Sequence, residues 1–281
     1  MIDPDAFDEL AGDLNHPEGV AWDPVGARVV AGGEGGELYG VALDGRITVL
    51  GSTGGSMLGV AVDGRGRVYA CDEGNGEVAR WDPATGEVST YARGVDGADM
   101  DCPNVAAFGP DGMLYVTCSG EEGRPEILRI APGGVSVERW TDAVPAYPNG
   151  ALVEPDGSAL IVVESRAQRL VRVPVRADGS AGDVSVIATL PDTDADGVAL
   201  AVDGSLWVTL YRPDGLVRVA PDGAAELVFD DHLAQTLDAP TNLAWVGADL
   251  DRIVVANVGD TFLGIADVGI AGRPLHHPVF D

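Results

Sequence analysis

The stretch HPEGVAWDP, residues 16–24, sets a carboxylate, Glu18, at the entrance of an apolar run of strand character. The phrase DADGVALAVDG, residues 194–204, repeats it with Asp196 in the place of Glu18. The same register recurs as LGVAV from Leu58, NVAAF from Asn104, NGALV from Asn149 and TNLAW from Thr241. The first positions are 18, 58, 104, 149, 196 and 241, so the spacings are 40, 46, 45, 47 and 45. A period of this length marks a repeat architecture in which each unit buries its apolar face against the next.

Every copy continues in one order. A turn such as PDG or VDG leads into a β-rich run (GRVYAC, GMLYVTC, SALIVVE, SLWVTL, DRIVVAN). A third apolar run, often carrying an internal Arg, follows (VARWDP, ILRIAP, LVRVPV, LVRVAP), and then a fourth such as VSVIATL or AAELVF. Four short strands punctuated by Gly, Asp and Pro, with no room for helices, is the pattern of a propeller blade. Six such units fill the 281 residues. The expectation is an all-β, six-bladed propeller with four antiparallel strands per blade, one domain over residues 1–281. Residues 1–15 and the closing GRPLHHPVFD are each candidates to complete the last blade or to lie across a face.

In a propeller the first strand of each blade lines the central channel, so equivalent positions form a ring. The register position becomes Glu18, Leu58, Asn104, Asn149, Asp196 and Thr241 around one axis. Asn and Asp at strand entrances often serve only as turn residues. Glu is a poor turn residue, however, and two carboxylates about 4 Å apart repel by roughly 4 kcal/mol at an effective dielectric of 20. A bound divalent cation resolves both points, and an all-oxygen donor set suits Ca²⁺, Mg²⁺ or Mn²⁺, while Zn²⁺ also accepts carboxylates.

Composition narrows the partners. The net charge is −28, and all 17 basic residues are Arg. Such a surface repels phosphate backbones and anionic lipid, which argues against nucleic acid and membrane as partners. No apolar run approaches the roughly 18 residues of a membrane span, and the acidic MIDPDAFDEL lacks the features of a secretory signal. A cytoplasmic protein acting on a small molecule is expected, with its oligomeric state not readable. Cys71, Cys102 and Cys118 lack metal-ligand spacing and read as reduced core residues. Residues 192–203, DTDADGVALAVD, match much of an EF-hand loop, but a strand-like SLWVTL follows where a helix should start. No nucleophile elbow, HExxH pair or phosphate-binding glycine loop is present.

HPEGVAWDP, PNVAAFGPDGMLYVT, YPNGALVEPDG, DGVALAVDGSLWV and PTNLAWVGADLDRIVVAN, in this order, resemble the SMP-30/gluconolactonase/luciferin-regenerating-enzyme family across nearly the whole chain. The resemblance implies a single catalytic divalent ion in the channel and hydrolysis of a lactone, a cyclic ester, by metal-activated water. It implies Glu18, Asn149 and Asp196 as direct ligands, Ca²⁺ foremost with Zn²⁺, Mn²⁺ or Mg²⁺ as alternatives. Asn104 would contact the substrate or the metal itself. The catalytic pair is then Asp196, which also takes the proton, and Asn104, which orients the substrate. His16 and Tyr147 are further candidates to touch the substrate, and Glu164 could reach the channel mouth. His232, His276 and His277 read as surface residues. Family members acting on sugar lactones typically carry Arg two residues before the Asn104 position and Asp just after it. This chain has Cys102 and Val105 there, which favours a smaller or less polar lactone than gluconolactone. The competing readings are a phosphotriesterase on the same ring, as in diisopropyl-fluorophosphatase-like propellers, and a non-catalytic metal-binding scaffold.

Overall fold

The computed structural model describes residues 1–120, 123–191 and 193–280. It contains six four-stranded antiparallel sheets and, beyond strands, only single 3-10 turns. The inner strands are Gly19–Asp23, Met57–Val62, Pro103–Phe108, Pro148–Val153, Ala195–Leu200 and Pro240–Val246. Each pairs with a second strand, in the same order Arg28–Gly32, Val68–Asp72, Leu114–Cys118, Ala159–Glu164, Leu206–Leu210 and Arg252–Asn257. The propeller predicted from the repeat is therefore the fold. Among the described residues no helix is long and apolar enough to cross a membrane.

A flat four-stranded sheet buries both faces only when another sheet covers each of them. Six apolar clusters do this, one at each junction between neighbouring blades. The junction of the first and second blades, for example, joins Ala21, Val30 and Leu38 to Val60, Val68 and Trp81. Each fully buried Val or Leu in these junctions contributes about 1.5–3 kcal/mol.

The sixth blade is completed from the other end of the chain. Phe7–Ala11 forms its outer strand, pairing antiparallel with Leu263–Ala266 so that Phe7 faces Ala266 and Glu9 faces Gly264. The closing segment takes the other option and lies across one face. Arg273 N–H donates to Leu200 O at 2.8 Å, Gly64 N–H to Pro278 O at 3.0 Å, and Arg67 Nη2 to Phe280 O at 2.9 Å. Between those anchors His276 Nε2 donates to Glu154 O at 2.9 Å and His277 Nδ1 to Val62 O at 2.8 Å. The tail thus crosses the channel end from the fifth blade to the second. His276 and His277 are half-buried strap residues rather than free surface groups, a correction to the sequence reading.

The repeated glycine after the ring position has a packing reason. A Cβ on Gly19 would strike Leu58 O, and one on Gly150 would strike Asp196 O. On Gly59 it would sit 2.6 Å from Asn104 O, and on Gly197 2.8 Å from Thr241 O. At these four places the inner strand of one blade passes against the backbone of the next, and only glycine leaves room.

Candidate metal centre at the channel mouth

Five of the six inner strands break their ladder at the ring position. The register shifts lie between Met57 and Val60, Pro103 and Ala106, Pro148 and Ala151, Ala195 and Val198, and Pro240 and Leu243. Each bulge spans the ring residue and its successor, releasing them from regular pairing and re-aiming the side chain. The freed amides are caught by hydroxyls of the second strand: Val105 N–H donates to Thr117 Oγ1 at 3.0 Å and Gly197 N–H to Thr209 Oγ1 at 2.8 Å. In the first blade pairing is regular from Gly19 opposite Gly32, and the ring residue lies just before the strand. That blade carries the longer side chain, Glu18.

All six ring residues, Glu18, Leu58, Asn104, Asn149, Asp196 and Thr241, line one pocket of about 370 Å³ at the channel mouth. The four with oxygen donors aimed at no partner are those singled out above. Glu18 Oε2, Asn104 Oδ1, Asn149 Oδ1 and Asp196 Oδ1 are buried and make no hydrogen bond. Buried polar atoms are normally satisfied, so four orphans in one ring mark a place built for another group. The two amides are oriented with their nitrogens spent. Asn104 Nδ2 donates to Ser119 Oγ at 3.0 Å, and Asn149 hydrogen-bonds the Asp196 carboxylate. Among the described residues no group of three or more His, Cys, Asp or Glu stands together, so the donor set is two carboxylates and two carboxamides. A hard divalent cation fits it.

Electrostatics agree. Burial, then Asp196, then Glu73, push the Glu18 carboxyl well above its ordinary range. Burial and Asp194 raise Asp196 to about 8, against the opposing hydrogen bond from Asn149. Two carboxyls held unhappy as anions are what a cation would relieve.

Thr241 has a structural part. Thr241 Oγ1 donates to Glu18 O at 2.7 Å, tying the sixth blade to the first. Comparable ties run from Thr117 to Asn149 O at 2.8 Å, Ser119 to Pro148 O at 2.9 Å and Ser165 to Ala195 O at 2.5 Å.

The other sequence candidates separate. Tyr147 lines the pocket, with the Arg166 guanidinium 4.5 Å from its ring centroid. His16 does not line the pocket itself; its Nδ1 donates to the O of Val258, which does, at 2.9 Å. His16, Cys102 and Tyr147, each just before a proline and two residues before a ring donor, share a left-handed backbone with φ of 43°, 57° and 65°. Glu164 does not reach the mouth: it is fully buried, accepting from Ala146 N–H at 2.9 Å and from Arg169 Nε at 2.5 Å. The EF-hand-like segment runs as strand, and its Asp203 accepts from Ser205 and pairs with Arg218 at 2.6 Å. Asp194 lines the pocket, and Asp192 lies outside the described residues.

Sequence reasoning missed a second tier. Glu73, Ser165, Arg166, Tyr211 and Val258 also line the mouth. Glu73, Ser165, Tyr211 and Val258 each immediately follow a second strand. Antiparallel pairing brings the end of that strand beside the start of the inner one, so this position is a second ring. Counting from the end of each second run would have found it.

Comparison with known proteins is consistent with this geometry. The model of the SMP-30/Gluconolactonase/LRE-like region matches residues 16–258. An L-arabinolactonase of Azospirillum brasilense is 29% identical over 140 residues, a match spanning 49% of this chain and 45% of that protein. The chain thus spans less than half the length of that relative. A gluconolactonase structure from Xanthomonas campestris superposes with a TM-score of 0.80 at 22% identity, covering 92% of this chain and 89% of its own. A calcium-binding regucalcin from Agrobacterium tumefaciens gives 0.75 at 21% identity, covering 95% and 94%. On the family match over most of its length, the chain belongs to the SMP-30/gluconolactonase/LRE-like family.

Proposed function

We propose that this protein is a divalent-metal-dependent hydrolase that opens a lactone. The single observation that carries the reading is the set of four buried, partnerless oxygens, one each from Glu18, Asn104, Asn149 and Asp196, on four blades around one pocket. The lactonase relative and the family match supply the substrate class. Those four residues would hold the ion. Ca²⁺ is the first choice for an all-oxygen set, with Zn²⁺, Mn²⁺ and Mg²⁺ as alternatives. When bound, such an ion supplies Lewis-acid polarisation of an ester carbonyl and acidifies water.

The chain's own groups divide the remaining work. Asp196, a carboxylate of the ring beside the place of the ion, is the group to accept the proton released on ring opening. Asn104, fixed through Ser119, orients the substrate. Tyr147 borders the entrance, His16 is tied to it through Val258, and Arg166 beside Tyr147 provides a guanidinium at a mouth where Cys102 stands in the usual arginine position. This combination supports a small lactone with fewer hydroxyls than gluconolactone. Three buried cysteines, none in a disulfide among the described residues, are compatible with the cytoplasm as its compartment.

The test is proton release from a panel of lactones, with a fluorophosphate ester alongside, by protein stripped of metal and reloaded with Ca²⁺, Mg²⁺, Mn²⁺ or Zn²⁺. Metal-dependent lactone opening abolished by Asp196→Ala is the expected result. Turnover of only the fluorophosphate replaces lactonase by phosphotriesterase. Ion binding without turnover of either ester makes the protein a scaffold and ends the hydrolase reading.

A further inference from the structure

The channel has a second end, and its chemistry is the reverse of the first. One or two residues along the inner strands from the ring begins a separate chamber of about 280 Å³. All six inner strands contribute to its wall, which is built of Val, Ala, Leu, Phe and Trp side chains. An apolar cavity of about 150 Å³ stays dry and takes up a benzene-sized guest, because water inside needs two to four polar partners. This chamber is nearly twice that size. Left unfilled, its lining forfeits dispersion contacts.

Besides Asn242 and the tryptophans, its polar lining residues are one arginine and two histidines. Although the chain carries 45 acidic residues, no Asp or Glu is among the described residues of the chamber wall. Its mouth instead holds Arg273, His276 and His277, all on the strap that crosses this face. Nearly every other arginine is ion-paired, as Arg28, Arg67, Arg169 and Arg172 are. Arg273 has no carboxylate partner among the described residues; one Nη donates to Val202 O at 3.1 Å. The two histidines each spend one nitrogen on a backbone carbonyl, which fixes the strap and leaves the second nitrogen of each ring. At the opposite mouth Glu18, Glu73, Asp194 and Asp196 make the field negative.

We propose that the chamber beneath the strap is a binding site for a small amphiphilic carboxylate, its aliphatic or aromatic body inside the channel and its carboxylate against Arg273. The apolar wall selects the body and the lone guanidinium selects the head group. The site is separate from the metal ring and its occupant need not be a substrate or product. An anion is drawn to this end although the molecule as a whole repels it, so the local cation, rather than net charge, decides.

The probes are octanoate, octan-1-ol and octylammonium, titrated by calorimetry into metal-loaded protein, with the fluorescence of Trp22, which lines the chamber, followed in parallel. Octanoate is expected to bind one to one, about tenfold more tightly than octan-1-ol, with octylammonium weakest. Arg273→Gln, at an exposed position, lowers octanoate affinity about tenfold and leaves octan-1-ol unchanged. Ala107→Phe, at a half-buried wall position, removes binding of both, with a thermal melt verifying the fold. Asp196→Asn leaves octanoate binding intact. Loss of binding in Asp196→Asn would place the probe at the ring and overturn the proposal. It fails equally if octanoate does not bind, if octylammonium binds as well as octanoate, or if both folded variants bind like the unaltered protein.

Discussion

At Ser119 one hydroxyl does two things: it accepts from Asn104 Nδ2 and donates to Pro148 O. It therefore decides which atom of the Asn104 amide faces the channel and holds the strand entrance that carries Asn149. Groups that orient metal ligands typically govern affinity by 10–100-fold. Ser119→Ala is expected to weaken Ca²⁺ binding by about that factor, measured by calorimetry, while leaving the fold intact. Asp196 gives a second residue-scale prediction. In chelator its carboxyl is held protonated up to about pH 8, against an ordinary value near 4. A pKa raised on folding contributes stability that is fully present below the unfolded value and lost as pH rises through the folded one. The metal-free melting temperature should therefore fall between about pH 4 and 8, and Asp196→Asn should flatten that slope; an unchanged slope in the variant would assign it elsewhere. The ring was legible because Glu18, Asn104, Asn149 and Asp196 hold one register. Glu73 and Arg166 were not read, because they lie outside that register, just after a second strand, and antiparallel pairing across the blade is what brings them to the mouth.

The strands themselves were readable from alternating apolar runs and Gly or Pro turns, and the second, third and fourth runs of each repeat fall on observed strands. What pattern could not decide was closure. FDELA, residues 7–11, is half-exposed and carries two acidic residues out of five, so its pattern does not distinguish an outer strand from a loop. Only the open edge at Leu263–Ala266 selects it. The bulges were likewise invisible, since a local extra residue leaves hydrophobic periodicity almost unchanged. Closing strands remove sheet edges that would otherwise pair with other chains. Deleting residues 1–11 is expected to lower the melting temperature by several degrees and to produce concentration-dependent association in size-exclusion chromatography. A monomer of unchanged stability would show that the strand is dispensable.

Over the whole molecule, six blade junctions carry the apolar core while a charge of −28 works against compaction. Long-range repulsion of this kind is screened within about 10 Å at 0.1 M salt. Raising NaCl from 0.05 to 0.5 M should raise the melting temperature of metal-free protein; an unchanged melting temperature would show that this repulsion does not limit the fold.

The way the sixth blade is completed also fixes an order of events in the cell. At ribosomal rates of about 5–20 residues per second, Phe7–Ala11 emerges tens of seconds before Leu263–Ala266, the strand it must pair with. For that interval the earliest segment has no sheet to join, and five blades stack in sequence while it waits. Circular order in the finished propeller thus becomes a temporal asymmetry in synthesis: the first strand made is the last to find its place. Its two acidic residues, Asp8 and Glu9, suit that wait, since a charged segment is a poor template for aggregation while it remains unpaired.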